Sequence, residues 1–297
     1  MERYTAELFY KTRCQIGEAP VYDDCTDTLY WIDITGKTIS SYVLSTKEYS
    51  CLNLERTVGS IALIEGGGIL AALDDGMYVI KDLAVTPYCK PEDLVSDQRL
   101  NDGKCDRQGR MYVGIMHVPL DGPKGSFYRI EKGGKCTKLL DNIGCSNGLA
   151  WNSDYTKFYY VDTLIYEPTY VKEFKYDEET GDISDPKVII EYPGLLTEEV
   201  PSGSADGMTI DAEGKLWIAE WNGHKVSRWD PETGEKLAEV AVPVSKPACC
   251  TFGGKDMDTL FITTASCDCD LQKEPDAGSV YCVKPGVKGL KANRFKL

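Results

Sequence analysis

Ser204-Ala205-Asp206-Gly207-Met208-Thr209-Ile210-Asp211-Ala212-Glu213-Gly214-Lys215-Leu216-Trp217-Ile218-Ala219-Glu220 reads as a strand, a tight turn and a second strand. Met208 and Ile210 alternate with polar neighbours, Asp211-Ala212-Glu213-Gly214 has turn chemistry, and Leu216-Trp217-Ile218 is an apolar β-run. Asp206 stands at the front, followed by a glycine where backbone can approach closely.

The same phrase recurs along the chain. Glu18-Ala19-Pro20-Val21-Tyr22-Asp23 leads to Leu29-Tyr30-Trp31-Ile32-Asp33, and Ser60-Ile61-Ala62-Leu63-Ile64 leads through three glycines to Ile69-Leu70-Ala71-Ala72-Leu73. Asn101-Asp102-Gly103-Lys104 precedes Met111-Tyr112-Val113, Asn147-Gly148-Leu149-Ala150-Trp151 precedes Phe158-Tyr159-Tyr160-Val161-Asp162, and Cys249-Cys250-Thr251-Phe252 precedes Leu260-Phe261-Ile262-Thr263. A third short strand follows each pair, and a fourth precedes most of the next units, as in Ala238-Glu239-Val240-Ala241-Val242. Four strands per unit at intervals of about 40–60 residues are the pattern of propeller blades. Hardly any stretch has the 3.6-residue period of a long helix. The expected fold is all-β: one domain over residues 1–297, a six-bladed β-propeller around a central channel. Leu8-Phe9-Tyr10 is expected to close the ring by joining the last blade, which protects an edge.

A hydrophobic content of 42% supplies a packed core and argues against disorder. The net charge of −14 argues against nucleic acid, whose phosphates need clustered Lys and Arg, and suits a bound cation. No apolar run reaches the roughly 20 residues of a membrane helix. The amino-terminal residues lack the apolar core of a signal peptide. The twelve cysteines are therefore expected as free thiols in a cytoplasmic protein. Cys267-Asp268-Cys269 lacks the usual spacing of a zinc site. Asp106-Arg107-Gln108-Gly109 and Asp211-Ala212-Glu213-Gly214 lack the alternating acids of a calcium loop and read as hairpin turns.

In a propeller the first strand of each blade lines the channel, so residues just ahead of those strands gather at one mouth. Glu18, Asn101, Asn147 and Asp206 occupy those places in four units, and all bear oxygen. Carboxylates and amide carbonyls converging on an axis call for a cation between them. Oxygen donors select hard divalent ions, calcium, magnesium or manganese first, with zinc also compatible. Each Asn-Gly or Asp-Gly is alone an ordinary turn former; four in register are not. Two histidines, His117 and His224, rule out a multi-His centre, and no G-x-S-x-G, Walker or G-x-G-x-x-G motif occurs.

Gly17-Glu18-Ala19-Pro20, Arg99-Leu100-Asn101-Asp102-Gly103-Lys104, Ser146-Asn147-Gly148-Leu149-Ala150-Trp151 and Ala205-Asp206-Gly207-Met208-Thr209-Ile210-Asp211 resemble the regucalcin/gluconolactonase/luciferin-regenerating enzyme family. The resemblance runs through nearly the whole chain, to Pro285-Gly286-Val287-Lys288-Gly289-Leu290. It implies one divalent ion held at Glu18, Asn147 and Asp206. It also implies hydrolysis of a sugar lactone, with Asp206 as proton acceptor and donor and with Arg99 and Asn101 on the sugar hydroxyls. The chain departs from the family at Gly114-Ile115-Met116-His117-Val118-Pro119, where some members have a further substrate-contacting Glu and this sequence has no acid. His117 reads first as a rim or core histidine. The competing expectations are a non-catalytic calcium- or sugar-binding propeller and a hydrolase of another ester or organophosphate.

Overall fold

Residues 204–220 form a β-hairpin in the computed structural model, which describes residues 1–163, 168–192 and 203–297. Ser204–Ile210 runs antiparallel to Leu216–Trp221, with Thr209 opposite Trp217 and Ile210 opposite Leu216. Asp211 closes the turn. Its Oδ1 accepts from the Glu213 and Lys215 amides, each at 2.9 Å, and its Oδ2 from Trp217 Nε1 at 2.9 Å. Asp106–Gly109 is a turn of the same kind, the Gly109 amide donating to the Asp106 carbonyl at 3.1 Å. Both Asp-x-x-Gly phrases are hairpin turns, as expected.

Six sheets, each with four antiparallel strands, make an all-β six-bladed propeller. Their innermost strands are Gly17–Asp23, Val58–Leu63, Gln98–Cys105, Cys145–Trp151, Ser204–Ile210 and Pro247–Gly253, which head blades 1 to 6. Among the described residues the one helical element is a 3₁₀ turn at Lys132–Gly134. No helix among the described residues is long and apolar enough to cross a membrane.

The ring closes where expected: Glu7–Tyr10 pairs antiparallel with Val280–Val283 as the outermost strand of blade 6. A feature that the repeat pattern does not predict lies just before it. Glu2–Thr5 adds a fifth, parallel strand to blade 5, against Lys236–Ala241. The chain changes blade at Ala6, whose amide donates to the Ala241 carbonyl at 2.9 Å. No glycine or proline marks the crossing, so the local sequence gives no sign of it.

The apolar core lies between blades. Ile32, Val58, Ala71 and Tyr78 fill the interface of blades 1 and 2, and Leu100, Met111, Leu70 and Met77 that of blades 2 and 3. Tyr112, Phe127, Trp151 and Phe158 fill the next, Tyr159, Val161, Met208 and Ile218 the one after. Trp217, Phe252, Tyr22 and Trp31 join blades 5, 6 and 1. Each blade thus has two apolar faces and needs both neighbours.

The carboxy-terminal segment straps one face of the ring. The Lys288 carbonyl accepts from Ala212 (blade 5) at 2.8 Å, Gly289 donates to Met257 (blade 6) at 2.8 Å, and Lys291 reaches Asp24 (blade 1) at 2.7 Å. Asn293 donates to the Cys105 carbonyl (blade 3) at 3.0 Å and to Tyr155 (blade 4) at 2.6 Å. Phe295 donates to Leu63 (blade 2) at 2.7 Å.

Candidate functional site

The innermost strands carry the expected residues on register breaks. Pairing with the second strand slips between Glu18 and Val21, Leu100 and Gly103, Ser146 and Leu149, and Ala205 and Met208. Glu18, Asn101, Asn147 and Asp206 therefore lie within their strands, not just ahead of them as the repeat pattern predicts. Each sits at or beside a β-bulge, which re-aims a side chain without ending the strand. The glycines that follow are needed for space. A Cβ on Gly148 would stand 2.7 Å from the Asp206 carbonyl oxygen, and one on Gly207 2.3 Å from Cys249 Sγ. In blade 1 Ala19 takes the corresponding bend at φ 43°, a left-handed conformation unusual for a residue with a side chain.

Carboxylates at the ends of second strands aim these strands. Asp33 accepts from the Gln15 and Ile16 amides at 2.8 and 3.1 Å, and Asp162 from Gly144 and Cys145 at 2.9 and 3.2 Å. The chain entering Glu18 is thus tied in the same way as the chain entering Asn147.

Glu18, Arg99, Asn101, Asn147 and Asp206 all line one cavity of about 260 Å³. Met116, Cys145, Thr163 and Trp221 share it. Glu18 and Asp206 are only 7% and 8% exposed, so bulk water does little to screen their charges. Burial and then the nearby Asp102 push the Glu18 carboxyl up to about 8. Burial, Glu18 and Asp102 push Asp206 well above the ordinary carboxylate range. Burial also raises Asp102 to about 6, against the pull of Lys104. Arg99 opposes the shifts at Glu18 and Asp206 without cancelling them. The three carboxylates share one anchoring device: each accepts from the next residue's amide, Ala19 at 2.8 Å, Gly103 at 2.7 Å and Gly207. This donor set is rich in oxygen and negative charge and short of compensating cations, which suits a hard divalent ion.

The amides form a directed chain. Arg99 Nη1 donates to Asn101 Oδ1 at 2.5 Å, and Asn101 Nδ2 donates to the Ser146 carbonyl at 2.7 Å and to Asn147 Oδ1 at 2.9 Å. Asn147 Nδ2 then donates to Thr163 Oγ1 at 2.8 Å, and Thr163 donates to the Ala205 carbonyl at 2.7 Å. Arg99 and Asn101 are therefore coupled to the Asn147 amide and to the backbone beside Asp206.

His117, the acidic group near Cys25 and the cysteines stand outside this arrangement. His117 is buried with its ring between Asp121, 2.5 Å from Nδ1, and Asp97, 3.3 Å from Nε2, as a rim histidine would be. The close group Asp23, Asp24 and Cys25 lies on the strapped face. Arg294 already spans it, 2.5 Å from Asp23 and 3.1 Å from Asp24. All twelve cysteines are free, Cys267 and Cys269 included.

The family model for the SMP-30/Gluconolactonase/LRE-like region matches residues 16–266, from just before Glu18 to beyond the last innermost strand. The chain belongs to the SMP-30/gluconolactonase/LRE-like family. Within this family, regucalcin of Oryctolagus cuniculus is 35% identical over 301 residues, covering 98% of each chain. The structure of a luciferin-regenerating enzyme superposes with a TM-score of 0.88 at 30% identity, covering 98% of this chain and 100% of the other. Regucalcin from Agrobacterium tumefaciens, described as a calcium-binding protein, superposes at 0.91 with 26% identity and full coverage of both chains.

Asp102 and Thr163 are site residues that the sequence alone does not single out. Asp102 stands one place after Asn101, where blades 4 and 5 have Gly148 and Gly207, so the repeat gives no signal for it. Thr163 ends a second strand and has no local signature.

The raised carboxyls set a pH dependence for the metal-free protein. Unfolded, Glu18 and Asp102 release protons near 4.5 and 3.8; folded, near 8 and 6. Between those values the folded state binds more protons, so its stability falls as pH rises. In EDTA, the melting temperature is expected to drop from about pH 5 to about pH 9. Differential scanning fluorimetry checks this; a flat or rising trend refutes it.

Proposed function

We propose that this chain is a metal-dependent hydrolase that opens sugar lactones. One observation carries the reading: Glu18 and Asp206, two buried carboxylates raised by burial and by Asp102, line a cavity together with Arg99 and Asn101. Glu18, Asn147 and Asp206 would hold one divalent ion, calcium, magnesium, manganese or zinc. Bound there, such an ion supplies Lewis acidity toward a carbonyl and a water of lowered pKa.

Asp206 takes a proton from water as the water oxygen bonds to the lactone carbonyl carbon. It returns the proton to the ring oxygen as that carbon–oxygen bond breaks. Glu18 contributes the second full negative charge of the donor set. Arg99 and Asn101 orient the hydroxyls of the substrate, a positioning task. A cytoplasmic setting agrees with twelve free thiols.

Glucono-1,5-lactone and a panel of other lactones, assayed with and without EDTA, test the reading. Turnover is expected to vanish on chelation and to return when Mn²⁺ or Ca²⁺ is restored. A second reading, a non-catalytic calcium-binding propeller, is favoured by the all-oxygen donor set and by the calcium-binding regucalcin relative. It predicts calcium binding by calorimetry with no turnover across the panel.

A further inference from the structure

We infer that Thr163 is a positioning residue for the metal site proposed above, its hydroxyl holding the Asn147 amide so that the carbonyl oxygen is presented as a ligand. This rests on the reading of Glu18, Asn147 and Asp206 as the ion's ligands. Thr163 is half-buried at the end of a second strand, directly after Asp162, and lines the same cavity.

The orientation of Asn147 follows from the two ends of its hydrogen-bond chain. Arg99 can only donate, so Asn101 must offer it Oδ1 and is left with Nδ2 for its other partners. The Ser146 carbonyl can only accept, which requires the same orientation of Asn101. Asn147 therefore meets Asn101 with Oδ1. At the far end the Ala205 carbonyl can only accept, so the Thr163 hydroxyl donates to it and receives Asn147 Nδ2. Both ends demand one amide orientation.

Asn101 uses one lone pair of Asn147 Oδ1; the Cys145 thiol lies 4.0 Å from that oxygen and has Met116 Sδ nearer at 3.6 Å, which leaves the second lone pair for an ion. Without the hydroxyl, Nδ2 of Asn147 and the Ala205 carbonyl both lose a partner, and the amide is free to turn away. The Ala205 carbonyl of blade 5 holds the Thr163 hydroxyl in place from the next blade, so the hydroxyl presents its oxygen to Asn147 Nδ2. Outer-shell partners of this kind typically change metal affinity by about 10–100-fold.

Calorimetric titration with Ca²⁺ and with Mn²⁺, on the wild type, Thr163→Val and Thr163→Ser, tests the inference. Thr163→Val is expected to weaken binding by about tenfold or more and Thr163→Ser to restore it to within about threefold. In an Asn147→Ala background, Thr163→Val is expected to cause no further loss. Thr163→Ala gives the same comparison if valine at this position prevents folding, which circular dichroism of the metal-free protein reports. Equal affinity of wild type and Thr163→Val overturns the inference and leaves the metal reading standing. So does an equal loss in Thr163→Ser, or an added loss in the Asn147→Ala background. A wild type that binds neither ion overturns both.

Discussion

An Asp206→Asn variant is expected to lose lactone hydrolysis by a factor of about 10²–10⁴, the range spanned by general acid–base groups. Asparagine keeps the shape and a carbonyl oxygen at that position, but it cannot accept the proton from water or return it to the ring oxygen. The loss should fall on kcat more than on KM, because a proton-transferring group acts mainly in the transition state. A pH-stat assay with glucono-1,5-lactone measures the rate, and elemental analysis of the same sample measures bound metal. Retained turnover with metal present would assign the base elsewhere. The small cavity limits the alternatives: Glu18 is the other lining carboxylate among the described residues.

The largest expected effect on stability comes from the far end of the chain. Phe295 is fully buried, packs edge-on against Tyr88 with ring centres 5.6 Å apart, and belongs to the core between blades 2 and 3. Its amide donates to Leu63, and its carbonyl accepts from Glu65 at 2.9 Å. Phe295→Ala removes a ring from a packed interface and is expected to cost about 3–5 kcal/mol. For a domain of this size that corresponds to a fall in Tm of roughly 6–20 °C. Scanning calorimetry measures it. A Tm within about 2 °C of wild type would mean that the strap peels off locally without holding the ring.

The blade pattern was legible because each strand pair keeps its own alternation and its own turn residues. Asp211 illustrates this: a turn former in sequence, it caps its hairpin through bonds to residues at most six positions away. Propeller geometry then brings the residues that recur at the head of each unit to one hub, so Glu18, Asn101, Asn147 and Asp206 could be grouped from their order alone. The resemblance to the family added Arg99.

What the amino-acid order determined by itself was local: strands, turns, the sixfold repeat and the oxygen-bearing residue at the head of four blades. Tertiary structure decided the bulges that put these residues inside their strands, and the carboxyl shifts that arise from burial beside Asp102. It also decided the Thr163 link to Asn147, the division of the amino terminus between two blades and the strap across all six. The physical reason is range. Alternation and turn chemistry act over a few residues, whereas desolvation, charge repulsion and the hydrogen bonds that join blades exist only once distant segments share one hub.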